Sequence, residues 1–313
     1  MRILITGVTG SFGTEFSRQF SGAYDIHGLS RSEVLQVAFP YKEKVILHKG
    51  SVVDEARVTE VIRLISPDWV IHAAAYKHIS TGCGDSVEMM DVNINGTRSV
   101  LRACSRCGIG SRVLLVSTDK AVEATTFYGK TKACAEGIVI EVGGIVIRYG
   151  NVLGSSGSIV PLFLDSASKG QYLGIREHPV YGVPTRFFIR LSDAIQMVHS
   201  LLGCPSGIYV PRELKAARID EVARQCVQFV GKGAVIPSGS LLYGEKLHEI
   251  LLDHMEGYKA QKFGNFWRVA RDSHTLGQRR VEVSSDKPEG GMYTPVELAG
   301  LIRETSDYMK GLA

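Results

Sequence analysis

Residues 2–13 read Arg2-Ile3-Leu4-Ile5-Thr6-Gly7-Val8-Thr9-Gly10-Ser11-Phe12-Gly13, and this stretch decides the fold. The apolar, β-branched run predicts a buried strand, and glycines spaced as G-x-x-G-x-x-G follow it at the start of a predicted helix. Gly7 would permit a tight turn, Gly10 would let backbone amides approach a pyrophosphate, and Gly13 would allow close packing of the helix on the strand. The pattern predicts a dinucleotide-binding turn, with cofactor contacts at Gly7, Thr9, Gly10, Ser11, Phe12 and Gly13.

Outward from this turn, apolar runs alternate with helical patterns through the first half of the chain. The predicted strands are 2–5, 25–29, 45–47, 69–72, 112–117 and 144–149, and the predicted helices are 13–20, 55–65, 86–107 and 127–142. Strands too apolar to alternate between core and solvent are typical of parallel strands covered on both faces. The alternation predicts an α/β fold with a doubly wound parallel sheet, the Rossmann arrangement.

The regular alternation ends near residue 151, and Gly, Pro and Ser become frequent up to residue 184. A helix at 192–202, a strand at 207–210 and a helix at 219–229 indicate a return to regular structure. We therefore expect residues 1–150 to form a dinucleotide-binding domain, with 187–210 returning to it. Residues 151–186 and 211–313 are expected to form a smaller substrate-binding lobe.

The composition excludes several classes of protein. With 313 residues, 44% hydrophobic and 22% charged, the chain resembles ordinary globular proteins rather than disordered or fibrous ones. A net charge of +4, spread along the chain, favours a small anionic ligand over nucleic acid. The first residues lack signal-peptide features, and no apolar run reaches the ~18–20 residues of a membrane span. We therefore expect a soluble, cytoplasmic protein without membrane insertion.

The cysteines add no further chemistry to this expectation. Six cysteines are too sparse for a disulfide scaffold in a chain of this length, which favours reduced thiols. Cys104 and Cys107 form a C-x-x-C pair without a second ligand pair, so they are interpreted as helical thiols. No metal is expected.

The end of the second predicted strand bears on the choice of dinucleotide. An acidic residue there would bond the ribose 2′-hydroxyl of NAD. This chain has Ser30-Arg31-Ser32 instead, and a guanidinium suits a 2′-phosphate because it offers a planar fork of charged donors. The sequence favours NADP. The alternative is NAD, with a solvated Arg31 and Glu33 in the acidic role.

A second motif, Tyr128-x-x-x-Lys132, lies on a predicted helix. Residues four apart share one helix face, so Lys132 can lie beside the Tyr128 hydroxyl. A nearby ammonium would lower the pKa of the phenol and let Tyr128 take a proton from a sugar hydroxyl as hydride leaves. The motif follows Ser117-Thr118 at the end of a predicted parallel strand, where α/β sheets bind ligands.

Asp119 and Lys120 extend the possible chemistry beyond oxidation. A dehydrogenase or 4-epimerase needs a hydroxyl and a Tyr/Lys pair, whereas elimination of water from a 4-keto sugar needs an additional base at C5 and an acid at the 6-hydroxyl. Asp119 and Lys120 could supply both. The alternative is a solvated ion pair at a strand end.

At this point the chain resembles a known family, the polysaccharide-biosynthesis branch of the extended short-chain dehydrogenase/reductases, and within it the inverting UDP-N-acetylglucosamine 4,6-dehydratases. The matching segments are 6–13, 72–78, 93–97, 117–122, 128–132, 148–155, 185–187 and 244–249. They span most of the chain in order. The most family-specific are Asp119-Lys120 and Gly244-Glu245-Lys246-Leu247-His248-Glu249.

The resemblance implies a role for each catalytic residue. Tyr128 and Lys132, together with Thr118, would oxidise C4, Lys120 would take the C5 proton, and Asp119 would protonate the departing 6-hydroxyl. The product would be a 4-keto-6-deoxy sugar, with C5 inverted if the returning proton arrives on the opposite face. The resemblance also implies a UDP-sugar bound by Lys77, Asn151 and Arg186, with Arg186 on the diphosphate. Further cofactor contacts would be Ser51, Val52, Ala73, Ala74, Ala75 and Lys132.

Two segments depart from the family pattern. The chain reads Gly50-Ser51-Val52-Val53-Asp54 where relatives place an aspartate against the adenine. Ser80-Thr81-Gly82-Cys83 lacks the proline expected after the 72–78 segment, so the sugar-facing loop would differ.

Other functions and the state of assembly stay open. One alternative is a nucleotide-sugar 4-epimerase or 4-keto reductase, in which Asp119 and Lys120 have no chemistry. Another is an inactive NAD(P)-binding regulatory protein. Apolar helices at 86–107 and 127–142 predict a homo-oligomer formed through the helices beside the sheet.

Overall fold

The fold is built on one large sheet, and a computed structural model describes it for residues 1–77, 84–155, 157–271 and 279–312. The strands are β1 (Arg2–Thr6), β2 (Asp25–Ser30), β3 (Ile46–Lys49), β4 (Trp69–His72), β5 (Val113–Val116), β6 (Ile145–Ile147), β7 (Asn151–Leu153), β8 (Tyr172–Glu177), β9 (Thr185–Arg190), β10 (Gly207–Pro211), β11 (Lys215–Arg218), β12 (Ala234–Ser240), β13 (Gln261–Phe263) and β14 (Phe266–Val269). The helices are α1 (Ser11–Phe20), α2 (Glu33–Val37), α3 (Glu55–Ile65), α4 (Gly84–Met90), α5 (Gly96–Arg106), α6 (Phe127–Glu141), α7 (Ile159–Ser168), α8 (Leu191–Ser200), α9 (Ile219–Val230), α10 (His254–Lys259) and α11 (Pro295–Leu312).

The strand order of the large sheet defines the fold class. Nine strands follow the order β13-β14-β10-β6-β5-β4-β1-β2-β3. Strands β1 to β6 and β10 run parallel, and β14 and β13 continue the sheet antiparallel. The order reverses between β1 and β4, which is the point where doubly wound sheets bind their ligands. The predicted Rossmann fold is confirmed.

Side chains of β1 show how the sheet is covered on both faces. Ile3 and Ile5 lie in one hydrophobic core with residues of α1 and α8, whereas Leu4 lies in a second core with residues of α3 and α5. All three side chains are fully buried. Alternate residues of one strand therefore anchor the two helix layers, which fixes the carboxyl ends of the parallel strands at a common edge.

The remaining elements form a lobe with its own core. β11, β9 and β7 make a three-stranded sheet, and β12 pairs with β8. A third hydrophobic core joins these strands to α7, α9 and α11.

The expected division of the chain differs from the sheet topology in two places. β9, at the start of the predicted returning segment 187–210, pairs with lobe strands β7 and β11, while α8 contacts α1 and β10 pairs with β6. β13 and β14 belong to the range assigned to the lobe, yet they extend the large sheet beyond β10. β13 and β14 have three and four residues, too few for a periodic pattern to predict a strand. The division into two domains itself stays a prediction.

One predicted helix is interrupted. The segment 86–107 forms α4, a π-helical turn at Asp91–Asn95, and α5. The Asn93 side chain accepts a hydrogen bond from the Tyr76 backbone N–H (2.8 Å) and donates to the Tyr76 carbonyl (3.0 Å). A π turn widens the helix where such a polar contact is made. The departure expected at Ser80-Thr81-Gly82-Cys83 lies outside the described residues.

Within the described ranges, no helix combines the length and the apolar character that a membrane-spanning helix requires.

Candidate active site

The glycine turn forms a close-fitting backbone cradle at the end of β1. Gly7 has a φ of +72°, and its N–H donates to the Leu29 carbonyl at 2.8 Å. A Cβ at Gly7 would lie 2.9 Å from the Cα of Ala74, and one at Gly13 would overlap the Val8 carbonyl. Gly10 occupies the N-cap of α1, so no side chain covers the first turn of that helix. The backbone N–H groups and the helix dipole there fit a dinucleotide pyrophosphate.

A buried hydrogen-bond chain supports this cradle from below. The Ala74 N–H donates to Thr6 Oγ1 (3.2 Å), and Thr6 Oγ1 bonds His72 Nδ1 (2.7 Å). On the other side, His72 Nε2 bonds Thr97 Oγ1 (3.0 Å), which donates to the Asn93 carbonyl. The network assigns the proton to Nε2, since Thr97 already donates elsewhere. Burial, with a smaller contribution from Lys132, lowers the pKa of His72 to about 3.

The residues expected around the adenosine lie at the ends of β2 and β3. Thr9 Oγ1 and Ser30 Oγ are 2.8 Å apart. Arg31 Nη1 donates to Glu88 Oε1 at 2.6 Å, in an exposed ion pair. Val52 is buried, and its side chain packs so closely on Gly96 that a Cβ there would lie 2.7 Å from Val52 Cγ2. The Arg31 guanidinium is therefore already paired with a carboxylate of α4.

Ser117 to Lys120 follow β5 and hold the acidic and basic pair. The Asp119 side chain is fully buried, and its Oδ1 accepts hydrogen bonds from Thr118 Oγ1 (2.9 Å) and Lys120 Nζ (3.0 Å). Its Oδ2 is buried and has no hydrogen-bond partner among the residues that the structure describes. Thr118 also accepts a bond from the Lys120 N–H (3.3 Å) and caps a 3₁₀ turn at Asp119–Ala121. The alternative of a solvated ion pair at a strand end does not describe this arrangement.

Tyr128 and Lys132 lie on α6, whose N-cap Thr126 accepts from the Gly129 N–H at 3.1 Å. Lys132 is buried and donates to the Val116 carbonyl at 2.8 Å. Burial lowers the pKa of Lys132 to about 8, although Glu136 acts in the opposite direction. The pKa of Tyr128 is raised by burial and by the charges of Asp119 and Glu136. The net shift of the Tyr128 pKa is thus upward, because burial disfavours the phenolate, and the lowering of the phenol pKa by Lys132 stays a prediction.

The predicted sugar-binding residues differ in how they are placed. Asn151 Oδ1 accepts a hydrogen bond from Lys120 Nζ at 3.3 Å, so Asn151 lies beside the Asp119–Lys120 pair. Arg186 donates to three backbone carbonyls, those of Thr185, Lys246 and Leu247. Lys77 is exposed and precedes the range 78–83, which the structure does not describe.

Two buried acidic residues near the candidate site had no role in the sequence analysis. Glu249 is buried and lies 3.8 Å from Lys120 Nζ. Glu249 belongs to the segment 244–249, whose resemblance to the family was the only sequence signal that could have drawn attention to it. Glu136 bonds Ser117, and it also pairs with Arg148 at 2.6 Å. These contacts join residues that are not neighbours in the sequence, so no local sequence pattern predicts them.

In the parts of the chain that the structure covers, no cluster of three or more His, Cys, Asp or Glu side chains could bind a metal ion.

The doubly wound sheet, the glycine cradle, and the Thr118 and Tyr128–Lys132 arrangement together define an extended short-chain dehydrogenase/reductase. The chain belongs to the polysaccharide biosynthesis protein family, whose model matches residues 3–271. This class contains nucleotide-sugar dehydratases and epimerases, as the names of the relatives show.

Two curated relatives carry different activities in their names. The chain is 30% identical over 286 residues to a UDP-N-acetylglucosamine 4,6-dehydratase (inverting) from Campylobacter jejuni, covering 86% of this chain and 82% of the relative. It is 28% identical over 306 residues to a UDP-glucose 4-epimerase from Rickettsia akari, covering 91% and 87%.

Solved structures support the fold. Pen from Bacillus thuringiensis matches with a TM-score of 0.84 and 23% identity, over 97% of each chain. The Bordetella bronchiseptica enzyme WbmG, solved with NAD and UDP, matches with a TM-score of 0.66 and 22% identity, over 78% of this chain and 83% of that one.

Proposed function

We propose that the protein is an NAD(P)-dependent nucleotide-sugar 4,6-dehydratase acting on UDP-N-acetylglucosamine or a close UDP-hexosamine. The observation that carries the proposal is the buried Asp119 carboxylate, which accepts a hydrogen bond from Lys120 at Oδ1 and has no partner at Oδ2 within the described part of the chain. A buried acid–base pair at the ligand edge of the sheet is what elimination requires and what a simple oxidation does not use. The name of the Campylobacter jejuni relative supports the choice of substrate.

The first step belongs to α6 and the end of β5. Tyr128 would take the proton of the 4-hydroxyl, and Thr118 would hold that hydroxyl by a hydrogen bond. The bound nicotinamide would supply hydride chemistry, accepting a hydride from C4 and returning one to C6. Lys132, Gly7, Gly10 and Gly13 would hold the dinucleotide. Since burial raises the pKa of Tyr128, the phenolate must be favoured by the groups that surround it once both ligands are bound.

Elimination requires Lys120 without its extra proton and Asp119 with one. Both forms arise when a single proton moves from Lys120 Nζ to Asp119 Oδ1 across their 3.0 Å hydrogen bond. Lys120 then takes the proton from C5, and the electrons of that C–H bond pass into the 4-keto group. The C6–O bond breaks as Asp119 gives its proton to O6, and water leaves. The pair returns to its ionic form, ready for another cycle.

The end of the cycle decides the stereochemistry. C5 must regain a proton from solvent as C6 gains hydride, and Tyr128 must release to solvent the proton that it took from the 4-hydroxyl, so that the net change is loss of one water. A proton arriving from the face opposite to the one from which the first left would invert C5. We propose this outcome on the resemblance and on the relative's name.

Substitutions at the two pairs test the proposal. Tyr128→Phe should remove both the transient reduced-cofactor absorbance and the product, since loss of a positioned base costs ~10²–10⁴-fold in rate. Lys120→Ala and Asp119→Asn should still oxidise C4 and should accumulate reduced cofactor with the 4-keto-hexose. Lys120→Ala should also stop solvent deuterium from entering C5. Wild-type dehydration by both variants would overturn the assignment.

Product mass separates the dehydratase from the other functions. Incubation with several UDP-sugars should give one product lighter by a water molecule. A 4-epimerase or 4-keto reductase would give no such loss, and an inactive regulatory protein would give no product.

The preference for NADP is a separate proposal that rests on Arg31. Because Glu88 pairs with Arg31 at 2.6 Å, a 2′-phosphate must compete with that carboxylate. Glu88→Gln should therefore tighten NADP binding while leaving NAD binding unchanged, and Arg31→Ala should weaken NADP more than NAD. Titration of each variant with both dinucleotides checks this, and equal losses for both in Arg31→Ala would refute it.

A further inference from the structure

Glu249 is a buried carboxylate that the proposed reaction does not use. Only 3% of the residue is exposed, and it lies among three cationic side chains. Lys246 Nζ is 2.9 Å from Oε2, while Lys120 Nζ and Arg186 Nε are each 3.8 Å from Oε1. A buried charge with several opposite charges around it is stable only in a well-defined geometry, so this carboxylate has a specific placement.

The backbone of Glu249 is held in place independently of those charges. Its N–H donates to Ser285 Oγ at 2.8 Å, and the Ser285 N–H donates to the Glu249 carbonyl at 2.9 Å. Ser285 is fully buried and also bonds Thr185. Lys246 Nζ donates to the Val122 carbonyl at 2.7 Å, which ties the same segment to the residues after the catalytic turn. The carboxylate is therefore presented to Lys120 from a rigid support.

The Lys120 amine is located by three oxygens from separate parts of the chain. Asp119 Oδ1 is at 3.0 Å, Asn151 Oδ1 at 3.3 Å and Glu249 Oε1 at 3.8 Å. A lysine stem has four flexible carbons, so its ammonium takes the position that its partners impose. Without the Glu249 charge, Lys120 would meet the cations of Arg186 and Lys246 with only Asp119 to balance them.

We propose that Glu249 is a positioning residue that holds the Lys120 amine where it can remove the C5 proton. The inference rests on the proposed function, since it assigns Glu249 to the elimination half of that reaction and not to oxidation at C4. Arg186 and Lys246 keep the carboxylate in place. Glu249 acts through Lys120 and has no contact of its own with the reacting atoms.

Glu249→Gln tests the proposal, because glutamine keeps the size of the side chain and removes its charge. We expect wild-type formation of reduced cofactor and a loss of about 10²-fold in deuterium exchange at C5, the cost of misplacing a reacting group by about 1 Å. Glu245→Gln is the matched control. It is the same substitution in the same segment, at a residue whose carboxylate pairs with Arg176 at 3.2 Å outside this cluster. It should leave both measurements unchanged.

A double-mutant cycle shows whether Glu249 acts through Lys120. Lys120→Ala is expected to reduce C5 exchange to background, and adding Glu249→Gln should change that background by less than about twofold, because an effect exerted through an absent amine cannot add. Glu249→Asp keeps the negative charge but moves it away from Lys120, because the side chain is one methylene shorter. This variant should slow deuterium exchange at C5 less than Glu249→Gln does. This variant carries the test if the glutamine variant does not fold.

The outcomes separate this inference from the proposed function. If the wild type exchanges C5 and Glu249→Gln exchanges it equally fast, the positioning role is wrong while the dehydratase stands. If Glu249→Gln lowers cofactor reduction and C5 exchange by the same factor, Glu249 is structural, and the inference is again overturned. A wild type that neither exchanges C5 nor releases water refutes the proposed function, and the inference with it.

Discussion

At the level of single residues, burial decides the proton affinity of the groups around the catalytic turn. Tyr128 and Lys132 are both shifted toward their neutral forms, the phenol by a raised pKa and the amine by a pKa lowered to about 8. Burial also lowers the pKa of His72, to about 3. At neutral pH His72 and the Tyr128 phenol are therefore uncharged, whereas Lys132 keeps most of its charge, and the charges of a bound dinucleotide and sugar would act on a site of low polarity.

His72 gives a pH dependence of stability with a definite sign. Its pKa is about 3 in the folded state, below the value of 6.5 expected when unfolded. Between these two values the unfolded chain binds a proton that the folded protein does not. The free energy of unfolding therefore decreases as the pH is lowered, by about 1.4 kcal/mol per pH unit. Below pH 3 this contribution stops changing.

The variant His72→Asn removes that titration. Its free energy of unfolding should fall less steeply than that of the wild type between pH 6 and pH 4, by about 1.4 kcal/mol per unit. Urea unfolding at several pH values measures both slopes. Parallel slopes would contradict the buried, neutral state of His72.

At the level of elements, the sequence predicted those whose signal is local. The parallel strands β1 to β6 and helices α1, α3 and α6 follow from apolar runs and helical periodicity, and the structure places them within a few residues of the expected bounds. The glycine turn and the Asp119–Lys120 and Tyr128–Lys132 pairs were predictable because their members are close in sequence.

Features that depend on distant contacts were not predictable in the same way. β7 has three residues and forms only because it pairs with β9. The contact of Glu249 with Lys120 joins residues far apart in the sequence. The π turn follows from a side-chain contact with the loop after β4, which no helical periodicity records.

The π turn supplies a prediction about Asn93. Its side chain bonds both backbone groups of Tyr76 and Thr131 Oγ1 (3.0 Å). Asn93→Ala should lower the free energy of unfolding by about 1–3 kcal/mol, because partly buried backbone groups of Tyr76 lose their partner. Asn95→Ala is the control, since the half-buried Asn95 side chain donates to the Asp91 side chain one helical turn away (2.9 Å). Equal effects of the two substitutions in thermal or urea unfolding would contradict the role of Asn93.

At the level of the whole molecule, one buried arginine links the catalytic helix to a helix late in the chain. Arg148 Nη2 is 2.6 Å from Glu136 on α6, and its Nη1 is 2.7 Å from Glu256 on α10. A further bond reaches the Leu251 carbonyl at 3.1 Å. The charges of Glu136 and Glu256 outweigh burial and raise the pKa of Arg148, which stays charged.

Removing this arginine should be costly. Arg148→Met leaves two carboxylates without their cation, and breaking a buried ion pair costs about 3–5 kcal/mol. The matched control is Arg190→Met, whose partner Glu304 is more than half exposed. Its expected cost is about 0–1 kcal/mol. Similar losses in urea unfolding would show that the Arg148 contacts do not stabilise the fold.

Assembly also belongs to this scale, and the two helical segments on which the predicted homo-oligomer rests expose both polar and apolar side chains. α5 buries its apolar residues inside the protein and exposes Arg98, Arg102 and Arg106. Val87 and Met90 on α4 and Phe127 at the start of α6 are exposed apolar side chains. The homo-oligomer stays a prediction that light scattering would check.

The position of β14 beside β10 has a consequence for how the protein is made. β10 ends at Pro211, and its neighbour in the sheet begins only at Phe266. At roughly 5–20 residues per second, a ribosome needs about 3–10 seconds to add the intervening chain. Throughout that interval the nascent sheet carries an open edge of unpaired backbone groups, the kind of edge on which chains aggregate. Translation speed across this interval, and any chaperone that covers the edge, would therefore influence the yield of native protein.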